Sequence, residues 1–263
     1  MNKKNKEALV KELYEKYPYP ARKDITKEGV IYFAKWAADS FGSDATYWKG
    51  KEILELGCGT GELACGLALS GARVIAVDFS SSSIKHAKAL AKRLGASGKV
   101  NFQCKSILEL KTNEFDKKFD AVIALGSLHH TIDARKGFEI ACSNLMHDGV
   151  IVIGMYNKYA RFRHRVRRLL LWAFCGANIE KRISFGEKYF ANNEKAGRAW
   201  LADKYGQVHE SYHSVSEVKK WFREEGIEFI SSKPKLTTPR IGEIKWLIEE
   251  KGAFFVMCGT KKI

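Results

Sequence analysis

The chain has 263 residues, 45% of them hydrophobic, and carries 45 lysines and arginines against 30 aspartates and glutamates, a net charge of +15 at neutral pH. That length and apolar content suit one large α/β domain with a substantial core and insertions. Six cysteines (Cys58, Cys65, Cys104, Cys142, Cys175 and Cys258) stand singly with no C-x-x-C pair, which argues against a zinc site or a disulfide framework and for a reducing compartment.

The longest apolar stretch near the middle, Leu169 to Cys175, is too short to cross a bilayer, and no apolar signal core follows Met1-Asn2-Lys3-Lys4-Asn5. A cytoplasmic protein is expected, with peripheral membrane contact left open. The positive excess suits an anionic partner such as RNA, a membrane surface or an acidic substrate, and equally a solvated lysine-rich surface.

Lys6 to Tyr17 reads as a helix with Leu9, Leu13 and Tyr17 on one face, ending at Tyr17-Pro18-Tyr19-Pro20, where two prolines impose an extended segment. Its tyrosines either cover a ligand pocket or plug a surface groove. A second helix spans Gly29 to Phe41, so that residues 1–50 form an N-terminal helical cap on a core domain covering 51–263.

The core opens on Ile53-Leu54-Glu55-Leu56-Gly57-Cys58-Gly59-Thr60-Gly61, an apolar run that breaks into three alternating glycines and continues into the helical Glu62 to Ala68. Strand, tight turn and helix in this order cradle a nucleotide-like ligand, because glycine tolerates positive φ and the helix N-terminus offers unpaired N–H groups. A second strand, Val74 to Asp78, ends on an acid 21 residues after Gly57, where a doubly wound fold places a carboxylate on ribose hydroxyls. The dinucleotide fingerprint G-x-G-x-x-G would need glycine where Glu62 stands, which disfavours a nicotinamide cofactor.

Glu55, Gly57, Gly59 and Gly61 in the pattern acid-x-Gly-x-Gly-x-Gly, with Asp78 beyond, resemble motif I of the class I S-adenosylmethionine-dependent methyltransferases, over about Lys51 to Asn157. The resemblance implies a Rossmann-like, doubly wound, mainly parallel seven-stranded sheet with helices on both faces. It also implies S-adenosylmethionine as cofactor, S-adenosylhomocysteine as product, and no metal. The methionine end would lie near Glu55, Gly57, Cys58, Gly59 and Gly61, the ribose on Asp78, and adenine against Phe79. Ser106 stands where the family commonly has Asp, and Ile107 and Leu125 complete the implied cofactor set.

Ser80 to Ser83 reads as a cap for a helix over Ile84 to Leu94, and Val100 to Cys104 as a third strand. Phe119 to Leu125 is a strand delivering Gly126-Ser127-Leu128-His129-His130 at its carboxyl end, where substrates bind in open α/β sheets. A helix over Arg135 to Met146, a turn at His147-Asp148-Gly149 and a strand over Val150 to Met155 follow. Leu128-His129-His130 resembles a subgroup that includes quinone-ring and other small-molecule methyltransferases. His129 and His130, which titrate near neutrality, are candidate bases beside Tyr19 on the acceptor side; alternatively one histidine packs under the cofactor and the other bonds to backbone. Leu125-Gly126-Ser127-Leu128 lacks the Asn/Asp-Pro-Pro-Tyr pattern of adenine and cytosine amino methyltransferases, and no proline adjoins a cysteine as in 5-methylcytosine RNA enzymes.

Asn157 to Ile179 contains no acidic residue. Tyr159, Phe162, Val166, Leu169, Leu170 and Ala173 share one helical stripe among five arginines, with Gly176 as the stop. The segment begins a basic helical insertion at about 157–212, in which Lys181 to Tyr212 reads as irregular. The stripe either packs on the core with the arginines in water, or makes a lid over the acceptor entrance that lies on an anionic membrane. A helix capped by Ser216 and two strands, Ile227 to Ser231 and Ala253 to Cys258, complete the core; between the strands, Pro239 to Lys251 is expected to be helical with Ile241, Ile244, Leu247 and Ile248 inward. The leading expectation is methyl transfer to oxygen of a small or lipid-like acceptor. The alternatives are an RNA methyltransferase using the basic insertion and a non-catalytic S-adenosylmethionine-binding protein.

Overall fold

The computed structural model describes residues 3–18, 22, 24–111, 114–190, 197–235, 241–249 and 251–262. Two helices, α1 (Lys3–Lys16) and α2 (Lys27–Asp39), precede the sheet. α2 lies so close to α3 (Glu62–Leu69) that a Cβ on Gly66 would stand 2.0 Å from the Val30 carbonyl oxygen. Strands and helices then alternate: β1 (Glu52–Leu56), α3, β2 (Arg73–Asp78), α4 (Ser81–Leu94), β3 (Val100–Cys104), β4 (Phe119–Leu125), α5 (Ala134–Asn144) and β5 (Leu145–Tyr156). The insertion carries α6 (Phe162–Cys175), α7 (Ile179–Phe190), α8 (Arg198–Leu201) and a π turn over Ala202–Gly206. α9 (Val215–Glu224), β6 (Ile227–Lys233), α10 (Ile241–Ile248) and β7 (Phe254–Lys261) close the chain.

The seven strands form one sheet in the order β3-β2-β1-β4-β5-β7-β6. β3 through β5 are parallel, and β7 runs antiparallel to both β5 and β6. The chain winds outward from β1 and then crosses back to β4, which opens a crevice at the carboxyl ends of these two strands. Alternate residues feed opposite faces: Ile53 and Ile123 join one buried cluster with Trp48 and Leu67, while Leu54 and Val122 join another with Phe138 and Met257. A third cluster ties α1 to the insertion through Leu13, Leu171, Ile183, Leu201 and Tyr205.

Several local expectations are corrected. Lys181 to Tyr212 is not irregular, since it carries most of α7 and all of α8. The turn expected at His147-Asp148-Gly149 is a bulge inside β5: Phe119 pairs with Leu145, Ala121 with Val150, and Asp148 takes φ +58°. The cap of α9 is Ser214, whose hydroxyl accepts from Glu217 N while the Glu217 carboxylate accepts from Ser214 N, leaving Ser216 inside the helix.

Two helices also turn the other way. In α10, Glu243 and Trp246 face inward and Ile241, Ile244 and Ile248 are exposed; the Glu243 carboxylate accepts from Asn157 Nδ2 at 2.6 Å and Val215 N at 3.0 Å. In α6 the apolar stripe faces outward, with Phe162 54% and Leu169 70% exposed, while Arg168 and Leu171 are buried. Glu210, its side chain 1% exposed, draws the helix round: Arg161, His164 and Arg168 approach its carboxylate to 3.8, 3.4 and 3.7 Å, and Tyr212 Oη donates to it at 2.6 Å. Against the opposing effect of its burial, the Arg168 and Arg161 guanidinium groups and the hydrogen bond from His164 hold the Glu210 carboxyl well below the usual range. No helix among the described residues is long and apolar enough to cross a membrane.

Candidate active site

A cavity of about 520 Å³ lies at the carboxyl ends of β1, β2 and β4, within the size range of small-molecule sites. Its floor is the loop after β1. Gly57 has φ +78°, and a Cβ there would stand 2.2 Å from Ser127 Cβ, so only glycine lets this loop meet the segment after β4. Ser127 Oγ fixes the approach by donating to the Leu56 carbonyl oxygen at 2.6 Å. Gly61, at φ +84°, caps α3 and packs on Ala87 rather than lining the cavity.

Asp78 organises the loop. Its carboxylate accepts from Gly59 N and from Ser80 N, each at 2.9 Å, and still borders the cavity. Burial raises its pKa, opposed by those two amides. Glu55, buried within β1, is held well above the usual carboxylate range by burial and by the neighbouring charges of Glu62 and Asp78. Its Oε2 finds no hydrogen-bond donor among the described residues. A positively charged ligand with N–H donors supplies what these carboxylates lack, and bare glycine backbone beside a helix N-terminus leaves room for it. The floor therefore fits S-adenosylmethionine, whose sulfonium and ammonium are positive and whose ribose hydroxyls donate hydrogen bonds. Among the described residues no group of three or more His, Cys, Asp or Glu side chains is placed to hold a metal ion.

The remaining expected cofactor residues divide as follows. Cys58, Phe79, Ser106, Ile107 and Leu125 all line the cavity. Phe79 meets the Tyr14 ring edge-on at 5.8 Å, and Ser106 Oγ donates to Glu7 of α1 at 3.3 Å.

The two histidines part company. His130 lines the cavity, whereas His129 is fully buried behind it, its ring 3.8 Å from that of Tyr156 and both its nitrogens without a hydrogen bond among the described residues. Burial lowers both pKa values, that of His129 to well below the usual imidazole value, so both rings are neutral at physiological pH. Tyr19 lies outside the described residues. Tyr17 is away from the cavity wall, its hydroxyl bonded to Glu180 at 2.7 Å.

Wall residues that sequence reasoning missed include Tyr14, Tyr156, Asp203 and Phe254. Val10, Leu13, Tyr14 and Tyr17 also share helical spacing, so a second apolar stripe on α1 was available as a signal for Tyr14. Asp203 sits in the insertion with no local motif around it.

A profile of the methyltransferase-domain family matches residues 48–226. The ubiquinone biosynthesis O-methyltransferase of Rickettsia canadensis (strain McKiel) is 35% identical over 107 residues, 41% of this chain and 43% of that protein. The chain thus spans under half the length of the curated relatives it matches. Two solved structures share the fold at low identity. Magnesium protoporphyrin IX methyltransferase from Synechocystis PCC 6803 with bound S-adenosylhomocysteine superposes with a TM-score of 0.57 at 16% identity, over 97% of this chain and 100% of the other. The 1,6-didemethyltoxoflavin-N1-methyltransferase of Burkholderia thailandensis, with 1,6-didemethyltoxoflavin and S-adenosylhomocysteine bound, superposes with a TM-score of 0.58 at 16% identity, over 100% and 92%. With the glycine loop, Asp78 and the strand order in place, the chain belongs to the methyltransferase-domain family, as a class I S-adenosylmethionine-dependent methyltransferase.

Proposed function

We propose that this protein methylates a small acceptor at oxygen, with His130 as the base. The observation that carries the reading is a neutral, buried imidazole on the cavity wall just beyond β4, the strand that pairs with β1 and its Glu55. His130 Nδ1 lies 3.5 Å from the His209 carbonyl oxygen, a contact that favours the proton on Nδ1 and leaves the Nε2 lone pair to receive one. When bound, S-adenosylmethionine would supply a methyl carbon activated by positive sulfur, with the neutral thioether of S-adenosylhomocysteine as the leaving group. This chain's own residues then have two tasks, alignment and proton removal. Tyr14, Tyr156 and Phe254 offer ring surfaces for a planar acceptor. His130→Gln is expected to abolish turnover with hydroxyaromatic acceptors while S-adenosylhomocysteine binding stays within about twofold; full turnover in that variant would end His130's role.

The acceptor reading extends to lipid-like molecules delivered at a membrane. The outward face of α6 presents Phe162, Val166 and Leu169 between Arg163, Arg165 and Arg167, an arrangement that suits the surface of an anionic bilayer. Each arginine near such a surface contributes about 1 kcal/mol. Co-sedimentation with phosphatidylglycerol vesicles, lost on converting the three arginines to glutamate, is the expected result. Absence of vesicle binding together with tight, salt-sensitive RNA binding would favour the RNA enzyme instead.

A further inference from the structure

We propose that Asp203 is the carboxylate that recognises the methyl acceptor, taking a hydrogen bond from it and rejecting acceptors that carry negative charge. The proposal rests on the methyl-transfer reading above and assigns that site its substrate class: neutral hydroxylated aromatic molecules.

The position of Asp203 is fixed from both sides. The π turn that holds it is anchored by Leu201, Ala202 and Tyr205 in the third hydrophobic cluster. Tyr205 fits against α7 because residue 186 is glycine: a Cβ there would stand 2.3 Å from the ring. Arg182 and Arg168 clamp the chain just beyond, donating to the Gln207 carbonyl oxygen at 2.7 and 2.8 Å. Tyr14 of α1 then donates its hydroxyl to Asp203 Oδ1 at 3.0 Å, and Gln207 Nε2 donates to that same hydroxyl at 2.6 Å. A rigid turn, two buried arginines and a two-step hydrogen-bond relay therefore hold one carboxylate on the cavity wall.

No lysine or arginine among the described residues forms an ion pair with Asp203, although Arg168 and Arg182 both donate to the Gln207 carbonyl oxygen four residues on. Asp203 is half-buried, accepts from Tyr14 and borders the cavity without such an ion pair, so a ligand that donates to its remaining lone pairs stabilises the carboxylate. Burial raises its pKa, opposed by side-chain hydrogen bonds from Tyr14 and Gln207. Asp203 also stands apart from the cofactor floor: it comes from the insertion, whereas Glu55 and Asp78 end or line core strands. Its wall neighbours His130, Tyr14, Tyr156 and Phe254 are rings, which select a planar molecule. The described lining contains Glu7, Glu55, Glu62, Asp78 and Asp203 against one cation, Arg22, whose guanidinium lies over the Phe33 ring at 4.5 Å. An anionic acceptor would enter against that field.

The test uses the full chain saturated with S-adenosylhomocysteine and two probes that differ by a carboxylate, 4-methylcatechol and 3,4-dihydroxybenzoate, titrated by calorimetry. Wild type is expected to bind 4-methylcatechol at least about tenfold more tightly than the acid. Asp203→Asn should weaken 4-methylcatechol by about tenfold or more and narrow the preference, with cofactor-product affinity unchanged and a melting temperature at or above that of wild type. Tyr14→Phe, which keeps the carboxylate but removes one of its donors, should weaken the same probe by a smaller factor. Equal binding of 4-methylcatechol to wild type and Asp203→Asn, preference of wild type for the acid, or no binding of either probe overturns the proposal. So does a fall of several degrees in the melting temperature of Asp203→Asn, which would mark the carboxylate as a structural support. Failure of S-adenosylhomocysteine to bind wild type would instead strike the methyl-transfer reading.

Discussion

Replacing Asp78 by Asn perturbs the cofactor floor at its organising point. In the folded chain the carboxylate accepts from Gly59 N and Ser80 N, each at 2.9 Å, and borders the cavity, where we propose that its remaining lone pairs take the ribose hydroxyls. Asn can serve one of those amides but turns an NH2 group toward the other and loses the charge. A charge-assisted hydrogen bond contributes about 1.5–3 kcal/mol, so affinity for S-adenosylhomocysteine should fall about 10- to 150-fold. Stability of the ligand-free chain should change by less than about 1 kcal/mol, because the lost amide contact is opposed by removal of a buried charge whose pKa is already raised. Calorimetry with S-adenosylhomocysteine beside thermal unfolding separates the two quantities. Unchanged affinity in a folded Asp78→Asn protein would refute the assignment of this carboxylate to the ligand.

Gly57→Ala should destabilise the chain by about 2–5 kcal/mol, combining left-handed strain with overpacking on Ser127; adding Ser127→Gly should recover only the steric part, as read by urea unfolding. His129 has a depressed folded pKa, so its share of stability is complete above about pH 6.5 and drains as the pH falls toward the folded value. The expected slope is at most about 1.4 kcal/mol per pH unit, and His129→Phe should flatten it in melting curves between pH 7 and pH 5. Glu210→Ala should cost about 3–5 kcal/mol, because the buried Arg168 and the partly buried Arg161 would lose their counter-charge and His164 its hydrogen-bond partner; a denaturation midpoint equal to wild type would show that the cluster does not hold α6.

The parts of this fold legible in the sequence are those whose signal is local. Glu55, Gly57, Gly59 and Asp78 come from one βαβ unit and line one cavity, so their spacing in the sequence already grouped them, whereas Gly61 in the same pattern serves the start of α3 instead. The apolar stripe of α6 was equally visible, but periodicity says only that residues share a face, and the side that is buried depends on Glu210, far along the chain from Arg161. α10 turns for the same reason, through Asn157 and Val215 acting on Glu243. Asp203 is the extreme case: its meaning comes from Tyr14, 189 residues away, and no window in the sequence holds both. Ser214 differs, because Ser-x-x-Glu at 214 and 217 was present and the capping-box rule selects it over Ser216.

The central claim is methyl transfer to a small neutral acceptor, and methyl-labelled S-adenosylmethionine incubated with the pure chain and a fractionated cell extract tests it most directly. Label should leave the cofactor as S-adenosylhomocysteine forms and appear, by mass spectrometry, on oxygen of small organic molecules in the neutral fraction, and it should not appear when the chain carries His130→Gln. Label entering RNA, or cofactor that binds without turnover in every fraction, would contradict the account.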